Sequence, residues 1–284
     1  MIHAKLHGFV PSDVVGDEAP PMELGSGPTL DYGCAQQVAL EDARQLQSNA
    51  TSEADFFAEH GFVLLTAPTR VSDWDREIPS LYHLEVAALV RERLLPGRRV
   101  ELLQGPRVTR RGPAIRHYSQ GVHSDGPLSV EDYAHNVGVF GSPEAEARWR
   151  HAYARNEVAG FLSIDFWRTT NMRDPLRHMP LGLCDPSSVD RQDIARTVSH
   201  SVAPAGRASH HLALRYNPQQ AWYYYPAITS SEVIAFKMCE FSKDDPEAQP
   251  RNVFHTAFTD PTTPPDAEQR SSCEHRVGVM ILRD

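Results

Sequence analysis

The run Val122-His123-Ser124-Asp125-Gly126 restricts what this chain can build more than any other stretch. In extended backbone successive side chains alternate, so His123 and Asp125 point to one side while Ser124 points to the other. A second imidazole, His255 in Arg251-Asn252-Val253-Phe254-His255-Thr256-Ala257-Phe258-Thr259-Asp260, need only arrive on a neighbouring strand. Its distance along the chain is then free. Two imidazoles and one carboxylate on one face, with the remaining positions open, form the set that suits non-haem Fe(II).

With 14 histidines in the chain, rivals have to be sorted. His210 and His211 are adjacent and in a strand point to opposite faces, so both cannot reach one metal without distorting the backbone. Together with His200 they read as surface or hydrogen-bonded residues. After His255 a proline-rich turn, Pro261-Thr262-Thr263-Pro264-Pro265, leads to Arg270-Ser271-Ser272-Cys273-Glu274-His275-Arg276. The apolar Val277-Gly278-Val279-Met280-Ile281-Leu282 that follows reads as a final buried strand, with His275 on the opposite strand face from Arg276.

Residues 1–50 are rich in Gly, Pro, Asp and Ser and read as an extended arm packed on a single domain over 51–284. Ser52 with Asp55 three residues on predicts a helix that runs to Gly61, and a short strand, 62–65, follows. Trp74, Ile78, Leu81, Tyr82, Leu84, Val86, Leu89, Val90 and Leu94 make an apolar spacing of mostly three and four residues, which predicts a helix over 73–95 ended by Pro96-Gly97. Arg98, Arg99, Arg107, Arg110, Arg111 and Arg116 make a basic excess that reads as a solvated face or as attraction for an anion.

Ser142 before Pro143 starts a helix near 142–153. The polar stretch 128–156 is either a lid over the site or plain structure. Residues 160–167 alternate as a strand; 221–225 and 232–236 read as two more, joined by a turn at 227–231. Tyr223 and Tyr225 share one face of the first of these, and Trp222 and Tyr224 the other. A short polar helical segment opens at Ser187. Trp167 reads as core or as a substrate contact, and Arg168 in a buried place would need an anionic partner.

Asp165-Phe166-Trp167-Arg168, Pro180-Leu181-Gly182-Leu183-Cys184-Asp185, Tyr216-Asn217-Pro218, Trp222-Tyr223-Tyr224-Tyr225-Pro226, Glu232 to Lys237 and His255 to Pro261 carry a family likeness. From about Phe57 onward the chain resembles the iron and 2-oxoglutarate-dependent hydroxylases and desaturases of bacterial and fungal secondary metabolism. That family includes the cephamycin methoxylation protein, fungal gibberellin desaturases and fungal meroterpenoid oxygenases. Two departures stand out: Asp165 where Asn is expected, and Thr169 in place of Pro after Arg168.

The resemblance implies a mainly β fold with flanking helices, built on a double-stranded β-helix, the cupin-like jelly roll. It implies Fe(II) on His123, Asp125 and His255, with 2-oxoglutarate and O2 as cosubstrates. Arg270 or Arg276 would anchor the far carboxylate of 2-oxoglutarate, since the planar guanidinium fork matches a carboxylate on two bonds and keeps its charge. Tyr223 and Lys237 are further candidates at that acid group; Arg168, Trp167, Tyr225 and Tyr118 are candidates at the substrate. The reaction implied is hydroxylation, desaturation or oxidative cyclisation of a small natural-product intermediate, with release of succinate and CO2.

A length of 284 residues is ample for a core. A net charge of −9 argues against nucleic acid or an anionic membrane as partner, and no 18-residue apolar run or basic leader is present. Cys34, Cys184, Cys239 and Cys273 are scattered and read as reduced thiols. Without a secretory leader, the sequon Asn49-Ala50-Thr51 carries no glycan expectation. These features lead us to expect a cytoplasmic enzyme of open oligomeric state. Methyl transfer would call for a Gly-rich loop after an early strand, and no G-x-G-x-x-G exists. Two alternatives stay open: a non-catalytic cupin-like binder of metal or ligand, and an iron oxygenase that dispenses with 2-oxoglutarate.

Overall fold

The structure, a computed structural model, describes residues 1–22, 33–113 and 118–283. Its elements in chain order are β1 (Ile2–Phe9), β2 (Cys34–Asp42), α1 (Ala43–Gln47), α2 (Glu53–His60), β3 (Phe62–Thr66), α3 (His83–Leu89), β4 (Val100–Arg111), α4 (Val130–Phe140), α5 (Pro143–Ala154), β5 (Val158–Thr169), β6 (Leu181–Cys184), β7 (Ile194–Ser199), β8 (Ser209–Leu214), β9 (Trp222–Tyr224), β10 (Glu232–Ser242), β11 (His255–Ala257) and β12 (Ser272–Leu282). One five-stranded sheet has the order β1-β2-β9-β6-β11, a second has β3-β10-β5-β12-β4, and β7-β8 form a ribbon. This is the expected mainly β jelly roll with flanking helices.

Local chemistry sets the helix ends. Ser52 Oγ accepts the Asp55 N–H at 3.1 Å to start α2, and Gly61 ends it in the left-handed region at φ 73°, where a side chain would be strained. Helical backbone also runs over 78–94, with π-helical turns at Ile78–Tyr82 and Val90–Leu94 flanking α3. It starts later than the apolar spacing predicts because Glu77 turns back. Its carboxylate accepts the N–H groups of Ser72 and Asp73 at 2.7 and 2.8 Å, which closes a turn instead. Ile78, Tyr82, Val86, Val90 and Leu94 recur every four residues and pack with Ile164 and Phe166 of β5 and Val277 and Val279 of β12. A row spaced by four drifts around a 3.6-residue helix; the wider turns at both ends hold it toward the sheet.

That packing covers one face of the second sheet. On the other face β5 and β12 run in a register that sets Asp165 against Arg276 and Trp167 against Glu274. Polar residues on adjacent strands, buried on the side away from the helix, mark where chemistry can happen.

Several expectations meet a different outcome. The N-terminal residues expected as an arm carry β1 and β2, which pair with each other and, through β2, with β9. β9 and β10 lie in different sheets instead of forming a hairpin; Ala227, at φ 53°, helps the chain change direction between them. The arginine-rich run is largely β4, an edge strand whose alternation is masked by its charges. Val100, Leu102 and Val108 pack against the core, Arg110 pairs with Asp75, and Arg116 lies outside the described residues. Residues 128–156 contain two helices, α4 being started by Ser129 Oγ on the Asp132 N–H at 3.1 Å. Tyr133 and Trp149 pack on Phe161, the first tilted and the second edge-to-face, with ring centroids 4.7 and 5.2 Å away. The pair is thus anchored in a core of its own with Cys239 and Met280.

Two stability predictions follow from this packing. His275 is fully buried, with His83 Nδ1 at 3.2 Å, and burial with help from His83 lowers its pKa to about 4. A histidine lowered on folding binds fewer protons when folded, so its contribution is complete above about pH 6.5 and is lost as pH falls toward 4. Wild type should lose up to about 3 kcal/mol more than His275→Gln across that window, read by denaturant melts at each pH. Gly126, beside Asp125, has no room for a Cβ, which would lie 2.2 Å from the Met238 carbonyl oxygen. Gly126→Ala should cost about 1–3 kcal/mol, seen as a lower urea midpoint with an unchanged slope.

Candidate metal centre

His123 and His255 are brought together by backbone, not by side-chain attraction. The segment after Gly121 forms an antiparallel bridge with β11 that pairs His123 with His255. The His123 N–H donates to the His255 carbonyl at 3.2 Å, and the His255 N–H donates back at 2.9 Å. Residues paired this way show their side chains to the same side, and the two imidazole centroids are 4.5 Å apart. Asp125, two residues on, joins that face, as the spacing predicts. One ligand atom from each of His123, Asp125 and His255 lies within 4.8 Å of the others.

The protonation states suit a metal. Burial, with the neighbouring His123, lowers the His255 pKa to about 3, so its imidazole is neutral with a lone pair to offer. Burial pushes the Asp125 carboxyl up, but Arg276, His211 and His123 override it and hold the group well below the ordinary carboxylate range. Neutral imidazoles and an ionised carboxylate are the forms that ligate.

A small cavity opens on these three residues and is lined as well by Arg111, Ser119, Leu181, Ala257, Arg270 and Glu274. Arg270 is 1% exposed. It donates to the Met179 carbonyl at 2.6 Å, and its guanidinium lies 4.3 Å from the Tyr118 ring centroid and 5.5 Å from that of Trp167. Tyr118 in turn donates its hydroxyl to the Arg270 carbonyl at 2.7 Å. Among the described residues Arg270 makes no ion pair with a carboxylate, and its Nε has no hydrogen-bond partner. Burial and the nearby Arg111 lower its pKa to about 9, which still leaves it charged at neutral pH. Glu274, in the same lining, answers that charge only in part; a buried cation facing a cavity with no direct ion pair is a place for an anion.

The other candidates separate. Arg276 does not line the cavity; it donates to Asp125 and to Asp165, the latter at 3.4 Å. Lys237 pairs with Glu240 at 2.8 Å and lies over the Phe57 ring, away from the cavity. Tyr223 packs on Phe62, and Tyr225 donates to Gln47 at 2.6 Å. Arg168 faces the helical side of its sheet, where the Ala67 carbonyl at 3.1 Å and the Ser230 carbonyl accept from it and Trp74 and Tyr82 flank it. Backbone carbonyls and aromatic faces thus replace the anionic partner expected for it. Residues 128–156 contribute nothing to the cavity lining.

Three residues at the site were not singled out for it in the sequence. His211 is buried and reaches Asp125 Oδ1 with its Nδ1 at 3.3 Å, because Ser124 bridges Leu212 and so sets His211 opposite Asp125. His210 points outward, toward Asp132, as alternation requires. Arg111 enters the cavity because β4 aligns it with Ser272 of β12. Glu274 lies 3.8 Å from Arg111 and 3.9 Å from Arg276. Alternation along 272–276 would have put Glu274 and Arg276 on one face; nothing in the sequence pairs β4 with β12.

Residues 23–280 match the family model of the oxidoreductase/YMDC permease-like domain. Two curated proteins from Penicillium oxalicum, one of them from strain 114-2 / CGMCC 5302 and both named hydroxylase/desaturase poxK, are 29% identical over 179 residues, 56% of this chain and 50% of theirs. The chain thus spans about half the length of these relatives. Solved structures of the iron and alpha-ketoglutarate-dependent endoperoxidase NvfI align along the whole fold. A variant gives a TM-score of 0.72 at 18% identity over 99% of each chain, and another structure 0.67 at 17% over 99% of this chain and 98% of that one. At such identities the likeness establishes the shared jelly-roll fold. Among the described residues no helix is long and apolar enough to cross a membrane. From its match over nearly the full length, the chain belongs to the oxidoreductase/YMDC permease-like domain family.

Proposed function

We propose that this protein is an Fe(II)- and 2-oxoglutarate-dependent oxygenase acting on an unactivated C–H bond of a small natural-product intermediate. One observation carries the reading: two imidazoles and a carboxylate share a cavity with a buried guanidinium that makes no ion pair with a carboxylate among the described residues. His123, Asp125 and His255 would hold the iron, and Arg270 the far carboxylate of 2-oxoglutarate. When bound, the metal and cosubstrate together supply an oxidant made from O2, with succinate and CO2 released.

The chain's own residues bind, orient and keep water out. Tyr118 fixes Arg270 from two directions, through its ring and through its hydroxyl on the Arg270 carbonyl. Arg111 also lines the cavity, with Glu274 3.8 Å from it, so Arg270 is the cation left to receive an acid group. Trp167, fully buried with its ring 5.5 Å from the Arg270 guanidinium, backs that guanidinium from outside the cavity lining. Tyr118 and Trp167 therefore serve the cosubstrate more directly than the substrate.

The sequence resemblance to secondary-metabolism hydroxylases and desaturases, and the relatives named hydroxylase/desaturase, support C–H oxidation as the outcome. Four free cysteines and an acidic chain support a cytoplasmic setting.

Anaerobic addition of Fe(II) and then 2-oxoglutarate to the apo-protein should produce the weak visible charge-transfer band of a metal chelate. His123→Ala should abolish it. Arg270→Ala should raise the 2-oxoglutarate concentration for half-formation by about 10–100-fold, the factor for losing a charge-assisted bond of about 1.5–3 kcal/mol. Iron binding by wild type with no band on 2-oxoglutarate would withdraw the cosubstrate and the role of Arg270.

A further inference from the structure

We propose that Arg276 is a positioning residue that holds the Asp125 carboxylate to one-oxygen ligation, so that the metal keeps its open positions. The inference rests on the metal-site reading above.

Asp125 Oδ2 accepts a bond from the Arg276 guanidinium. Oδ1, the other oxygen, faces His123 Nε2 at 3.9 Å and His211 Nδ1 at 3.3 Å. A carboxylate can present both oxygens to a metal and then fills two positions. Oδ2 lies 4.0 Å from His255 Nε2, but with the guanidinium already bonded to it, Oδ1 is the oxygen freer to serve a metal. His211 is itself fixed, its Nε2 2.8 Å from Ser209 Oγ, so Asp125 is held from two sides.

Arg276 does not float in this arrangement. Its Nε donates to Asp165 Oδ2 at 3.4 Å, and Glu274 Oε2 lies 3.9 Å from its terminal nitrogen. Asp125, Asp165 and Glu274 bring carboxylate oxygens within 4.8 Å of one another, a grouping that would draw a cation of its own; the guanidinium fills it. Arginine suits the place because one planar fork can engage Asp125 and Asp165 together, whereas an ammonium acts as a single point charge. Asp165 is fully buried and is one of this chain's departures from the family pattern. An asparagine there would leave Arg276 with one less counter-charge.

The test uses Co(II) as the metal, whose visible bands report coordination number, with 2-oxoglutarate added afterwards. Arg276→Met is paired with Asp165→Asn so that no lone charge is left buried. This double variant should still bind Co(II), but with a changed spectrum as Asp125 takes a second position, and it should bind 2-oxoglutarate about 10–100-fold more weakly, the scale for lost outer partners of a ligand. Arg276→Lys should show the same spectral change to a smaller extent and decides the matter if the double variant does not fold. A folded variant with the wild-type cobalt spectrum and wild-type 2-oxoglutarate affinity would overturn the proposal. An unchanged cobalt spectrum in Arg276→Lys, should the double variant not fold, would overturn it as well. A wild-type cobalt protein that ignores 2-oxoglutarate sinks the cosubstrate reading alone, because the cobalt-only comparison still judges Arg276. No Co(II) binding by wild type overturns both.

Discussion

Two backbone hydrogen bonds, exchanged between His123 and His255, are the contact on which the rest of the site depends. They place two imidazoles on one face with no contribution from the imidazoles themselves. Strand pairing fixes such positions more tightly than loops can. The next bridge, Ser124 to Leu212, brings His211 up to Asp125, and the tight approach of Gly126 to the β10 backbone locks the segment against the second sheet. The metal face therefore sits where the two sheets and the ribbon meet.

Around that face the charges are divided between groups that are answered and one that is answered only in part. Arg276 has Asp125 and Asp165 within hydrogen-bonding reach and Glu274 close by, and these raise its pKa above the usual arginine value despite burial. Burial, only partly relieved by Arg276, raises the Asp165 pKa to about 7. Arg270, with a carbonyl and two aromatic faces for company, makes no ion pair among the described residues and has only the more distant Glu274 as a partial counter-charge. Burying an unpaired ion costs a fold several kcal/mol, and a ligand that answers it stabilises the folded state by mass action. The asymmetry between two arginines six residues apart in sequence is what separates a structural cation from a binding one.

Part of this was legible beforehand for simple reasons. Alternation in extended backbone gave His123 with Asp125 and split His210 from His211. Capping chemistry gave the ends of α2 and the start of α5, and the family resemblance named Arg270 and Arg276 together without choosing between them. What escaped involved partners remote in sequence. Arg111 belonged to a run that read either as a solvated face or as attraction for an anion, and the pairing of β4 with β12 is what places it in the cavity. Arg168 and Arg276 are similar in kind, yet Arg168 meets carbonyls and rings while Arg276 meets carboxylates. Lys237 and Tyr223, on strands, and Tyr225, just past the end of β9, face other neighbours.

By itself the sequence determined the local rules: which residues alternate, where helices can start, and that two imidazoles and a carboxylate would share a face if strands met. Those depend on backbone geometry within a few residues. Only the tertiary structure decided which strands meet, and with that which arginine finds a carboxylate and which is left facing a cavity. Registers such as Ser272 with Arg111 and Arg276 with Asp165 are set by the packing of whole sheets, and no stretch of this chain encodes them alone.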